Sequence, residues 1–207
     1  VRDIDHPIFS ESLRRIRAWL GETGLSGLER DVLERLVHSG GDLSLATDLR
    51  FSAGACLHGA AALAHGTPIL TDTAMAAAAV APMARRTFGN AVHSVLDWAP
   101  VEAPSGGTRA AEGMAAALAR HPGAVVLIGS APTALERLLA LTRSATVPPP
   151  ALVIGMPVGF VGVAESKRRL AACSLPQIRL EGSRGGAALV AAAANALLRG
   201  AWRARGL

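Results

Sequence analysis

Ala124-Val125-Val126-Leu127-Ile128-Gly129-Ser130-Ala131-Pro132 and Ala151-Leu152-Val153-Ile154-Gly155-Met156-Pro157 are two short apolar runs, each closed by a glycine with a proline soon after. A run of this length without polar interruption suits a strand buried on both faces, as in the middle of a parallel sheet. The terminal glycine lets the backbone turn sharply at the carboxyl edge, where open α/β sheets place their ligands.

Outward from these runs the chain alternates. Strands are expected over 68–72, 92–98, 124–129, 151–156 and 177–181, with helices over 54–66, 73–79, 108–120, 132–143, 163–173 and 185–199. Strands alternating with helices imply an α/β protein with a mostly parallel sheet covered on both faces. Two helices come first. In 8–21, Phe9, Leu13, Ile16 and Leu20 fall at helical spacing, with Ser10, Glu11, Arg14, Arg15 and Arg17 on other faces. The second opens near Ser26 and stops at Gly40-Gly41, which puts His38 in its last turn. Val147-Pro148-Pro149-Pro150 reads as a stiff loop, because the alternation resumes at once, so residues 1–207 are expected to form one domain.

Half of the residues are apolar, yet no run approaches the roughly 18 uninterrupted apolar residues of a membrane helix, so no membrane partner is expected. Val1-Arg2-Asp3-Ile4-Asp5-His6-Pro7 lacks the basic patch and apolar stretch of a secretory signal, and a cytoplasmic location is the expectation. Cys56 and Cys173 stand far apart, outside any CxxC or Cys/His cluster, as two reduced thiols with no structural metal. Lys and Arg total 21 against 16 Asp and Glu, which favours an acidic partner. With four Phe, three Trp, no Tyr and no Lys/Arg-rich run, nucleic acid fits less well than a small polycarboxylate.

Gly155-Met156-Pro157-Val158-Gly159-Phe160-Val161-Gly162 could be taken for a nucleotide loop, but it lacks the G-x-G-x-x-G spacing, and Pro157 removes an N–H that a phosphate cradle would use. A glycine-dense loop that lets backbones pack closely is the plainer reading. A nucleotide-dependent oxidoreductase would also need an acidic ribose contact that the sequence does not supply.

Arg35 and His38, three apart on one helix, share a face. A guanidinium can hold a carboxylate through two hydrogen bonds while an imidazole donates and recovers a proton; the nearby charge would make imidazolium the stronger acid. The same pair also suits a surface arginine and a histidine resting on a helix C-terminus. Thr108-Arg109 opens a helix after Ser105-Gly106-Gly107, where an anion is favoured, or where a first-turn arginine is simply solvated. His58 and His65 share a helix face without a third ligand, His6, His93 and His121 have no partner in view, and neither cysteine has an adjacent base.

Taken together and in order, these segments resemble the precorrin-8X methylmutase family. The resemblance is carried by Gly155 through Gly162 continuing to Ala164-Glu165-Ser166-Lys167, by Gly129-Ser130-Ala131-Pro132-Thr133-Ala134-Leu135, by Gly89-Asn90, by Ile69-Leu70-Thr71-Asp72 with Met75, by Val37-His38 with Gly41-Asp42, and by Gly182 and Gly185-Gly186. Ser130 stands where members often carry Asn. The resemblance spans about Ile8 to Leu198 and implies a flavodoxin-like three-layer sandwich, a homodimer with active sites near the subunit interface, and a tetrapyrrole polycarboxylate substrate. It makes His38 the proton donor and acceptor, with Ser12, Arg35, Thr108 and Arg109 contacting substrate. It further implies methyl migration from ring carbon 11 to carbon 12 within one molecule, with no cofactor. A non-catalytic tetrapyrrole carrier is the competing reading.

Overall fold

The computed structural model describes residues 5–206. Helices α1 (Pro7–Leu20), α2 (Gly27–Gly40) and the single turn α3 (Leu45–Asp48) lead into strand β1 (Leu49–Phe51) and helix α4 (Ala55–Ala64). Then follow β2 (Ile69–Thr71), α5 (Ala74–Arg86), β3 (Val92–Ser94), a 3₁₀ turn (Val95–Trp98), α6 (Arg109–Arg120), β4 (Val125–Ile128) and α7 (Pro132–Arg143). The chain closes with β5 (Leu152–Gly155), α8 (Val163–Ala171), β6 (Gln177–Leu180) and α9 (Ala187–Ala204).

The six strands are ordered β1-β6-β5-β4-β2-β3, all parallel except β1, which runs antiparallel to β6 with Leu49 opposite Leu180. The pleat explains why β4 and β5 read as continuous apolar runs. Val125, Leu127, Leu152 and Ile154 point into the core shared with α2, α4, α5 and α9, while Val126, Ile128 and Val153 point into the core under α6, α7 and α8. Each such fully buried Val, Leu or Ile contributes about 1.5–3 kcal/mol of transfer free energy.

The sheet is mostly parallel and helix-covered, as expected, but three local expectations are corrected. Residues 92–98 form only a three-residue strand before tightening into the 3₁₀ turn, whose first residue lies so close to α6 that a Cβ at Gly113 would stand 2.2 Å from the Val95 carbonyl oxygen. Helix α5 runs on to Arg86 through Pro82, which sits on an exposed face where the carbonyl it leaves unbonded can meet water. Gly129 and Gly155 do not adopt the left-handed backbone of a sharp turn; they make room. A Cβ at Gly155 would lie 2.4 Å from Leu170, and one at Gly129 would lie 2.7 Å from the Ala187 N and the Gly186 C. Gly185 is tighter still, at 1.9 Å from the Met156 carbonyl oxygen. The approaches at Gly129 and Gly185 seat the start of α9 directly on the carboxyl ends of β4 and β5, while the one at Gly155 brings α8 against β5.

Strand order reverses between β2 and β4, since β2 passes to β3 on one side and the chain then crosses back to β4 on the other. Asp72 lies at this switch point and is 1% exposed. Its Oδ2 accepts the peptide N–H groups of Gly129 (3.1 Å), Ser130 (2.6 Å) and Ala131 (2.7 Å), the last being the N-cap of α7. Burial raises the carboxyl pKa and the three N–H groups oppose that rise.

Candidate active site

Helices α1 and α2 are antiparallel, and a buried carboxylate fixes their register. Glu34, fully buried on α2, accepts Arg17 of α1 through two bonds of 2.8 Å and Arg30 of its own helix at 2.8 Å. Burial alone would raise the Glu34 carboxyl, but the two guanidiniums hold it below the ordinary range. Five residues before Arg17 and four after Glu34, the same register brings Ser12 Oγ to 3.0 Å from His38 Nδ1.

Helix α2 also runs antiparallel to α9. A Cβ on Gly200 would touch Leu28, and one on Gly40 would lie 3.5 Å from Leu189. Because α9 starts at the carboxyl edge of the sheet, the last turn of α2, and His38 with it, ends at that edge. His38 is exposed. Its ring meets the edge of Phe9 at 5.0 Å and 88° between planes, and the same phenyl ring carries the Arg35 guanidinium at 4.7 Å and the Arg199 guanidinium at 4.9 Å.

The two arginines differ in their partners. Arg199 is buried and ion-paired to Asp5, which also receives Arg203. Arg35 has no carboxylate partner among the described residues; desolvation and then the charge of Arg199 lower its pKa, with Asp5 opposing. A 170 Å³ pocket lined by Asp5, Phe9, Arg35, Arg86 and Arg199, among others, opens beside it. Partial desolvation, followed by the charge of Arg35, lowers the His38 pKa. With Nδ1 engaged by Ser12, Nε2 has no hydrogen-bond partner among the described residues, and an imidazolium here is a stronger acid than free histidine.

Ser12, Arg35 and His38 therefore come together, with Phe9 as their common neighbour. Phe9 was legible only as an apolar helix position; its place three residues before Ser12, on the same helical face, was the available signal. Thr108 and Arg109 lie on the other layer, at the same sheet edge. Thr108 caps α6 and its hydroxyl meets that of Thr133 at 2.8 Å, while Arg109 Nε donates to the Pro100 carbonyl at 2.8 Å.

The remaining candidates are otherwise employed. His6 caps α1 by accepting from the Ile8 N–H, and His65 ends α4. His93 and His121, which lacked a visible partner in sequence, stack at 4.8 Å beside Trp98. No group of three or more His, Cys, Asp or Glu among the described residues could hold a metal ion. Both cysteines are free, and burial pushes the Cys56 thiol up to about 12. A larger concavity, 1170 Å³, lies between α7 and α8 against Val147, Pro148 and Leu175, on the layer away from His38. No described helix is long and apolar enough to cross a membrane.

Fold and site together define a doubly wound α/β protein whose carboxyl edge presents an exposed imidazole beside a guanidinium that has no carboxylate partner among the described residues. Residues 7–200 match the CbiC precorrin-8X methylmutase family model. A cobalt-precorrin-8 methylmutase of Synechocystis sp. is 37% identical over 214 residues, covering 97% of this chain and 98% of the relative. A precorrin-8X methylmutase of Pseudomonas aeruginosa is 43% identical, covering 92% and 93%. The crystal structure of precorrin-8x methyl mutase from Thermus thermophilus is 38% identical and superposes with a TM-score of 0.86 over 95% of this chain and 96% of that one. The chain belongs to the precorrin-8X methylmutase family and is an isomerase of cobalamin biosynthesis.

Proposed function

We propose that the chain converts precorrin-8X, or its cobalt form, into hydrogenobyrinate or cobyrinate by moving one methyl group from ring carbon 11 to carbon 12. The observation that carries this reading is the exposed His38 imidazole, held at Nδ1 by Ser12 and made more acidic by its surroundings and by Arg35. His38 gives a proton from Nε2 to the conjugated ring system. That withdraws electron density and eases a 1,5-sigmatropic shift of the methyl group; loss of a proton then sets the final double bonds. Substrate and product are isomers, so the proton is returned and no external reductant or methyl donor enters. Acid-base help of this kind is worth about 10²–10⁴ in rate, and holding the ring in a reactive shape supplies more.

The acetate and propionate arms of a tetrapyrrole need cations. Arg35 offers its guanidinium beside a 170 Å³ pocket, which is room for a carboxylate arm and far too little for a macrocycle. The whole chain acts as one domain in the cytoplasm, and a homodimer completes the cleft, with Thr108 and Arg109 serving arms from the other layer at the same sheet edge.

Incubation with metal-free precorrin-8x, and separately with its cobalt form, tests the reading. Continued appearance of the corrin spectrum past one equivalent of substrate is the expected result. A change that stops at one equivalent would identify a carrier instead.

A further inference from the structure

Phe160 and Val161 are 95% and 88% exposed, the former at the tip of the loop between β5 and α8. Glycines stand on both sides of the pair, Gly159 with φ 137° and Gly162 with φ 70°, conformations that L side chains rarely adopt. The loop is tied down up to the first glycine and again from the second. Val158 N donates to the Gly129 carbonyl at 3.1 Å, Gly159 N to the Ser183 carbonyl at 3.0 Å, and Ser166 N to the Gly162 carbonyl at 3.0 Å. Between those ties, neither Phe160 nor Val161 makes a backbone hydrogen bond within the described chain.

The anchor is itself braced. Lys167, 2% exposed, donates from Nζ to the carbonyls of Gly182 (2.9 Å) and Arg184 (2.6 Å), on either side of Ser183. The Arg184 guanidinium in turn bonds Asp42, Asp48 and Ser44, in the segment that follows His38. The base of the loop is thus tied to the end of the helix that carries the histidine. Leu43, Met75, Val101 and Val158 are also exposed at this carboxyl edge. Apolar side chains left in water cost free energy that burial against an apolar surface recovers.

We propose that Phe160 and Val161 are substrate-binding residues: an apolar cover, free to swing on Gly159 and Gly162, that lies against the face of the bound macrocycle. This rests on the tetrapyrrole reading above. A tetrapyrrole is apolar on its faces and charged at its rim, so the arginines serve the arms and this pair serves the face. A tip free of hydrogen bonds between fixed ends can yield to admit a rigid ring and then return over it.

The test uses the full-length chain and a double variant, Phe160→Ala with Val161→Ala, compared in three measurements: turnover of precorrin-8x, titration with the metal-free corrin product by absorbance, and sedimentation. Both side chains are solvent-exposed, so the variant should fold, with unchanged circular dichroism. The expected result is a rise of about tenfold or more in KM and in the product dissociation constant, with unchanged sedimentation. Phe160→Leu with Val161 intact should restore most of the affinity. Normal KM and product affinity in the double variant, beside an active unaltered chain, would overturn the cover. So would a change of sedimentation with unaltered affinity, which would assign the pair to a contact between copies. Failure of the unaltered chain to bind or convert the tetrapyrrole would remove the functional reading itself, and the cover with it.

Discussion

Ser12 Oγ lies 3.0 Å from His38 Nδ1, joining the first helix to the last turn of the second through a single hydrogen bond. That bond holds the ring so that Nε2 faces outward whichever tautomer is present. Replacing Ser12 by Ala should lower kcat by about 5- to 10-fold, the worth of one hydrogen bond of about 1 kcal/mol, and leave KM nearly unchanged. Steady-state kinetics with precorrin-8x measures both, and Ser12→Thr should recover activity. An unaltered kcat in the alanine variant would show that the ring needs no such support.

Arg35 is the second cause, after desolvation, of the lowered His38 pKa. If imidazolium is the working acid, activity falls as pH rises through that lowered value. Arg35→Met removes a positive neighbour, so the histidine pKa moves up toward its ordinary 6.5 and the declining limb of kcat/KM moves to higher pH. KM should rise and lose part of its sensitivity to salt. A pH profile measured between about 5 and 9 with its limb unmoved would detach Arg35 from the histidine.

Burial lowers the Lys167 pKa to about 8, with Asp48 opposing. A neutral amine keeps two N–H groups, one for each carbonyl it serves, so losing the proton costs the clamp neither bond. The sign follows: between about 8 and 10.5 the unfolded chain holds this proton and the folded chain has released it, so stability rises with pH in that window. The difference in unfolding free energy between the unaltered chain and Lys167→Met should grow from pH 8 to 10 in urea titrations. A flat difference would place the lysine pKa at its usual value.

Gly185 is the tightest backbone approach at the sheet edge. Gly185→Ala must push α9 away from the end of β5 and should cost about 3 kcal/mol or more, read as a lower urea midpoint. Gly182→Ala, where no atom lies within 4 Å of the added Cβ, tests a different cost, the strain of its φ of 70° alone, and should be milder.

What could be read in advance followed from periodicity. The β4 and β5 runs, the helix over 132–143 and the position of His38 in a last turn all came from local patterns that tertiary structure left in place. Helix α3 and strand β1 escaped because a four-residue turn and a three-residue edge strand present no repeat long enough to recognise, and β1 is set by its pairing to β6, some 130 residues later in the chain. Phe9 escaped for a related reason. Its spacing from Ser12 shows a shared face, but its role depends on which faces of α1, α2 and α9 meet, and that is decided by long-range ties such as Arg17 to Glu34.

Asp72 gives this fold a negative selectivity. Consecutive N–H groups leading into a helix at a switch point are where related architectures capture phosphates. Here a tethered carboxylate already occupies that position. A freely diffusing phosphate would have to displace a competitor that can never leave, so these three N–H groups are closed to it without any steric barrier.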